Sequence, residues 1–217
     1  MPYSSKATKK ELVTAFRTRE ILAAARKLME RRGLEAVTME EIAGAAGVAK
    51  GTIYLYFPSK DELIQALITR VGENLLQDIE AIVQAPGSPP AKIQRVASLL
   101  LDYLSRERAI FPSYASDSQQ SWRGSHKGYW RQLQEMEEKF FDLVTPVFIQ
   151  GIAAGHFIPA NPRLLTFMLR GLVRSVGYYQ MTEGQEEAVK EALPVLLTLL
   201  SSGLTPKSPS AAEVAPL

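Results

Sequence analysis

The sequence predicts an all-α fold in two parts, and three observations carry that reading. Apolar residues recur at helical spacing along nearly all of the 217 residues, with no convincing run of period-two alternation that would mark a strand. Capping boxes and glycine or proline stops punctuate that pattern. Charge is divided unevenly: residues 1–60 hold 11 Lys+Arg against 6 Asp+Glu, while the other 157 hold 14 against 17. A head of +5 therefore precedes a body of −3, a division that the overall +2 conceals.

Helices follow in order. From Glu11 to Arg32, Leu12, Phe16, Ile21, Leu22, Ala25, Leu28 and Met29 form an apolar stripe, and Gly33 supplies a stop. Thr38-Met39-Glu40-Glu41 is a capping box that opens a short helix ending at Gly47, the residue best able to take a left-handed turn. A third helix runs from about Ala49 to Phe57 and is halted by Pro58. Ser59-Lys60-Asp61-Glu62 is a second capping box and starts a long helix reaching Gln84. The Pro/Gly run 85–90 breaks the chain before a helix over Ala91–Arg108. Residues 109–127 read as short helix and loop. Trp130–Ala154 is a long helix with a bend at Pro146, Arg163–Met181 the next, and Glu186–Ser202 the last, with a kink at Pro194. The Pro/Ser/Ala-rich tail 205–217 reads as disordered.

Composition excludes several functions. The absence of cysteine removes disulfides, thiolate metal sites and cysteine nucleophiles. Only His126 and His156 are present, and no nucleophile elbow, phosphate-binding glycine loop or metal-ligand spacing occurs, so we expect no enzyme, no cofactor and no metal site. No segment has the roughly 18–20 uninterrupted apolar residues of a membrane span. The polar start, Met1–Lys10, lacks the core of a signal peptide, and the expectation is a cytoplasmic protein.

The informative stretch is Thr38–Leu63, in which two short helices joined through Ala46-Gly47-Val48 make a helix-turn-helix. Ile42, Ala43, Ala46, Val48, Ile53 and Phe57 fall on the faces that would pack on the first long helix. Over residues 18–64 the sequence resembles the tetracycline-repressor (TetR) family of bacterial transcription regulators. The residues that carry this are Ile21-Leu22, Ala24-Ala25, Gly33, Thr38, Ile42-Ala43, Ala46-Gly47-Val48, Lys50-Gly51-Thr52-Ile53-Tyr54, Tyr56-Phe57 and Lys60-Asp61-Glu62-Leu63.

The resemblance implies a DNA-binding domain over 1–58 with a basic arm (Lys6, Lys9, Lys10), a ligand-binding and dimerisation domain over 59–203, and a tail over 204–217. The DNA-binding residues it points to are Thr38, Lys50, Gly51, Thr52, Tyr54, Tyr56 and Lys60. Gly51 permits close approach to DNA. Thr52 offers a hydroxyl and a methyl. Lys50, Thr38, Lys60 and Tyr56 suit phosphate, and Tyr54 suits bases or phosphate. The chain departs from the family at Ala49, where a hydroxyl residue is common.

The same resemblance implies a homodimer formed through the last two helices, with Leu165, Leu169, Leu172, Val176, Val189, Leu193, Leu196, Leu197 and Leu200 as the interface. Aromatic residues between 103 and 148, among them Tyr103, Phe111, Trp122, Trp130 and Phe141, are candidates for an apolar ligand pocket. The expected function is a ligand-responsive repressor of a pseudo-palindromic operator. The alternative is a helical apolar-ligand carrier, or an enzyme, with a non-functional DNA-binding head.

Overall fold

The computed structural model of the chain describes residues 8–107, 127–183 and 188–204, with side chains given for all but 127–130, 181–183 and 188–189. Among the described residues there are eight helices: α1 (Lys9–Arg32), α2 (Met39–Ala45), α3 (Lys50–Tyr56), α4 (Lys60–Gln84), α5 (Pro89–Arg106), α6 (Lys127–Ala153), α7 (Pro162–Glu183) and α8 (Ala188–Gly203). Two compact units result. One holds residues 8–71 with Glu107, and the other 72–106, 127–183 and 188–204. No helix among them is long and apolar enough to cross a membrane.

In the first unit α1, α2 and α3 pack on one another. Ile21, Ala25 and Met29 of α1, Ile42 and Ala43 of α2, and Ile53 of α3 are fully buried, and Val37 and Phe57 close the core beside them. Leu63, Ile64, Leu67 and Ile68 of α4 are also buried. Alanines 25 and 43 suit helices that must approach closely, because a larger side chain would hold the axes apart. Leu12 and Phe16 behave differently from the sequence reading, which put them in the buried stripe of α1. Both are exposed, because α1 starts at Lys9 and its first two turns precede the part of the helix that α2 and α3 cover. The start itself carries a capping box that the sequence reading passed over: Thr8 accepts from Glu11 N–H, and Glu11 accepts from Thr8 N–H.

In the second unit α5 packs on α6, α7 and α8, while α6 and α8 also pack on α7. Its interior is built from Ile93, Val96, Ala97 and Leu101 of α5, Phe141, Val144 and Phe148 of α6, and Leu165 and Leu169 of α7. Helix α6 is bound to α7 by polar contacts at several levels. Arg163 donates two bonds to the Glu138 carboxylate at 3.0 and 2.8 Å, and its guanidinium lies 4.6 Å from the centre of the Phe141 ring. Arg170 pairs with Glu137, and the Thr145 and Thr166 hydroxyls meet at 3.1 Å. Gly151 accommodates the Phe157 ring in the turn after α6, where a Cβ would lie 2.2 Å from the ring. Pro146 and Pro194 sit inside α6 and α8 without ending either helix.

The dimer-interface expectation needs correction. Leu165, Leu169, Leu196 and Leu200 are buried within the chain's own core and offer nothing to a partner. Val176, Leu193 and Leu197 are half-buried, Val189 has a side chain outside the described residues, and among the described side chains of that set Leu172 alone is exposed. The physical reason is that α7 carries two apolar stripes. Leu165, Leu169 and Val173 face inward, whereas Leu164, Phe167, Met168 and Leu172 face outward at spacings of three and four, with Tyr178 and Tyr179 exposed about two turns further on. Gly171 and Ser175 lie in the middle of that outward stripe, and Val195 and Leu199 extend an exposed apolar face onto α8.

Candidate nucleic-acid interface

The start of α2 is held by a complete capping box. Thr38 N–H donates to Glu41 Oε2 at 2.9 Å, and Glu41 N–H donates to Thr38 Oγ1 at 3.3 Å. Thr38 Oγ1 also donates to Glu41 Oε2 at 3.0 Å, and Arg32 reaches Glu41 Oε1 at 2.6 Å. These bonds, the Thr38 N–H first, hold the Glu41 carboxyl down at about 2. A carboxyl lowered in the folded state contributes stability that is present above its ordinary value near 4.5 and is lost as pH falls towards 2. Thermal melts between pH 5 and pH 2 should show that loss, and Glu41→Gln should flatten it; an identical acid profile in the variant would remove Glu41 as its source.

The turn after α2 is fixed by backbone alone. Val48 N–H bonds Ala43 C=O at 3.0 Å and Gly47 N–H bonds Gly44 C=O at 3.2 Å, with Gly47 at φ 66. This is a Schellman closure, and its left-handed residue is the reason for glycine at 47. The expectation for Gly47 drawn from the sequence holds. Helix α3 then begins at Lys50 from Ala49, whose backbone is extended (φ −66, ψ 149) and whose side chain makes no capping bond. Ala49→Ser should therefore add a cap and stabilise the first unit by about 0.5–1 kcal/mol in denaturant melts. An unchanged melting midpoint would show that this helix start is already saturated.

One side chain within α3 anchors it. Ile53 is fully buried, and Phe57 just beyond its end is buried as well. At about 100° per residue, positions two before and two after Ile53 point away from the core. They are Gly51 and Leu55, and Leu55 is the most exposed large apolar side chain described, at 83%. A Cβ at Gly51 would meet nothing within 4 Å and its φ is not positive, so the fold places no demand for glycine there. Lys50 and Tyr54, four apart, flank this outward face on one side, with Tyr54 at 40% exposure. Thr52 and Tyr56, half-buried, flank it on the other.

Sequence reasoning placed Thr38, Lys50, Gly51, Thr52, Tyr54, Tyr56 and Lys60 at a DNA surface. The structure puts Thr38 at the start of α2, Lys60 at the start of α4 and the rest along α3, all within the first unit. Lys60 Nζ donates to Glu35 C=O at 3.1 Å, and Lys50 Nζ lies 2.6 Å from Glu40 Oε1. Two residues were missed. Leu55 was recoverable from helical rotation about Ile53, since a leucine opposite a buried isoleucine must face outward. Glu40 carried no local signal, because its partner lies ten residues on, across the turn.

The proposed pocket residues are only partly described. Phe111 and Trp122 lie outside the described residues, and so does the side chain of Trp130. Phe141 is a core residue, 4.3 Å from the Phe167 ring centre and 5.8 Å from that of Phe140. Tyr103 is half-buried and donates to Asp78 at 2.6 Å, with Arg106 stacked 4.7 Å from its ring. Among the described residues no group of three or more His, Cys, Asp or Glu side chains is placed to hold a metal ion.

Two short helices joined by a Schellman turn, the second held by one isoleucine and presenting an outward face, define a helix-turn-helix DNA-binding protein. Residues 21–67 match the profile of the family described as bacterial regulatory proteins, tetR family. Over that segment the chain is similar to the TetR family of transcription regulators. Among relatives, the HTH-type transcriptional repressor KstR2 of Mycobacterium tuberculosis is 26% identical over 140 residues, covering 64% of this chain and 68% of KstR2. The fold agrees with a TetR/AcrR-family regulator from Thermobifida fusca (TM-score 0.74, 22% identity, 86% of this chain and 97% of the other). It also agrees with FadR from Bacillus subtilis (TM-score 0.66, 22% identity, 85% and 98%).

Proposed function

We propose that the chain is a ligand-responsive transcriptional repressor that binds a pseudo-palindromic operator as a homodimer. The single observation that carries the reading is the outward face of α3. It combines an open glycine at 51, a cation and hydroxyls at its flanks, and an apolar tip at Leu55, none of which the core requires. Such a face suits a major groove: Gly51 lets the helix backbone approach, Thr52 and Tyr54 reach base edges or phosphate, and Leu55 suits a thymine methyl. Thr38, Tyr56 and Lys60 would clamp phosphates on either side. For Thr38 this needs the hydroxyl hydrogen to leave Glu41, since both its N–H and O–H are turned to that carboxylate.

The dimer reading rests on the exposed stripe of α7 and its continuation on α8. Leu164, Phe167, Met168, Leu172, Val195 and Leu199 form a larger exposed apolar face than a terminal hairpin needs, and Gly171 and Ser175 within it allow two helices to approach. Two heads then read half-sites about 34–36 Å apart.

The effector is a small apolar or amphipathic molecule held in the C-terminal unit. FadR was solved in complex with stearoyl-CoA, which shows that a related fold accepts a long acyl chain. A ligand releases DNA only to the extent that it favours the DNA-incompetent state. The decisive experiment has two stages. Selection from random duplexes yields the operator, whose affinity must fall steeply with salt. Acyl-CoAs of varied chain length are then screened for release of that operator. A protein that binds no duplex in such a selection, but still binds an acyl-CoA, would be the carrier instead.

A further inference from the structure

Lys50 is the one charged side chain of α3, and in the structure it is engaged across the turn by Glu40 of α2 at 2.6 Å. Both partners are exposed, 68% and 45% at the side chain, so the pair lies on the surface and not in the core. Glu40 is free of capping duty at the start of α2, because Glu41 performs it. The Lys50 contact is the main influence holding the Glu40 carboxyl below its usual range, and Glu40 in turn raises the Lys50 ammonium above its own. Both groups are therefore charged throughout the neutral range.

Two consequences follow for a helix that meets DNA. A paired ammonium releases no counterion from a phosphate until the pair opens, and an exposed carboxylate beside it repels the backbone. An exposed ion pair is weak in itself, so it opens where α3 is seated in the groove and acceptors are held within hydrogen-bond reach of Lys50, and stays closed in a looser encounter with the backbone. Guanine O6 and N7 in the major groove are such acceptors for a lysine. We infer that Glu40 is a positioning residue that sets the selectivity of the head, by keeping Lys50 out of sequence-independent backbone binding and yielding it only at the operator. This rests on the reading of α3 as the DNA-contacting helix.

The test compares wild type, Glu40→Gln, Lys50→Met and the double variant on the selected operator and on an unrelated duplex of equal length. Binding is followed by fluorescence anisotropy over about 50–200 mM salt. Glu40→Gln should tighten binding to the unrelated duplex by about three- to tenfold and steepen its salt slope by about 0.9, the contribution of one freed cation. Operator affinity should change less than about twofold, so the operator preference narrows. In the Lys50→Met background Glu40→Gln should leave the salt slope unchanged, a result that loss of a merely structural residue would not give.

An unaltered slope and unaltered preference in Glu40→Gln would overturn the inference, as would the same effect with and without Lys50. Wild type that binds neither duplex would instead overturn the regulator reading itself. Melting curves for all four proteins keep folding separate from binding, and no change is expected because neither side chain enters the core.

Discussion

Leu172→Arg is expected to produce a folded monomer with operator affinity reduced at least 100-fold, about 2.7 kcal/mol. Leu172 is exposed on the outward stripe of α7, between Met168 and Ser175, so the chain's own core does not depend on it. In the proposed dimer an arginine there would face its symmetry mate across a two-fold axis, placing like charges in an apolar contact. Losing the partner removes the second half-site and with it the additivity of two heads on one operator. Sedimentation should give the monomer mass while far-UV dichroism and melting are retained. If the variant stays dimeric and binds as before, the interface is elsewhere; if wild type is already monomeric at micromolar concentration, the half-site argument fails. Leu169→Arg is the informative contrast, since Leu169 is buried inside the chain and the substitution should unfold the second unit.

The other large effect belongs to α3. Tyr54→Ala should weaken operator binding by about 10- to 100-fold, in line with the 1–3 kcal/mol carried by a base-reading contact, and leave the melting temperature unchanged. Its 40% exposure and its position 100° or so from Ile53 make it a side chain the fold can spare. Leu55→Ala should have a smaller effect with a distinctive chemical signature. Replacing one operator thymine by deoxyuridine, which lacks only the methyl, should weaken wild type and not the variant. Tyr54→Ala bound as tightly as wild type at physiological salt would show that α3 does not read the groove.

The local features were legible in the sequence. Thr38 and Glu41 are three residues apart, and a capping box needs nothing beyond that spacing. Gly47 was readable as a left-handed stop for the same reason, because its two closing bonds reach back only as far as Ala43. Periodicity found every described helix to within a few residues, and it identified Ile42, Ala43, Ile53 and Phe57 as core.

What periodicity could not supply was a choice between faces. Helix α7 is apolar on two sides, and only the packing of α5, α6 and α8 against it reveals that Leu165 and Leu169 turn inward while Leu164 and Met168 turn out. Leu12 and Phe16 failed similarly, since their spacing fits a buried stripe but no described helix covers that end of α1. The Lys50–Glu40 pair depends on how α2 and α3 cross, a tertiary property with no trace in local spacing. The proposed ligand pocket was least legible of all. Aromatic side chains serve core and pocket with the same chemistry, and Phe141 proves to be a core residue.

The turn at Gly47 has a consequence for how such a protein diversifies. It is closed by main-chain bonds, and α3 is seated by Ile53 with Phe57 behind it, so the four exposed residues among the seven of α3 lie outside the constraints that make the unit fold. Selection can rewrite Lys50, Gly51, Tyr54 and Leu55 one at a time without crossing a stability threshold. New operators are then reachable by single substitutions from a scaffold that stays intact at every step.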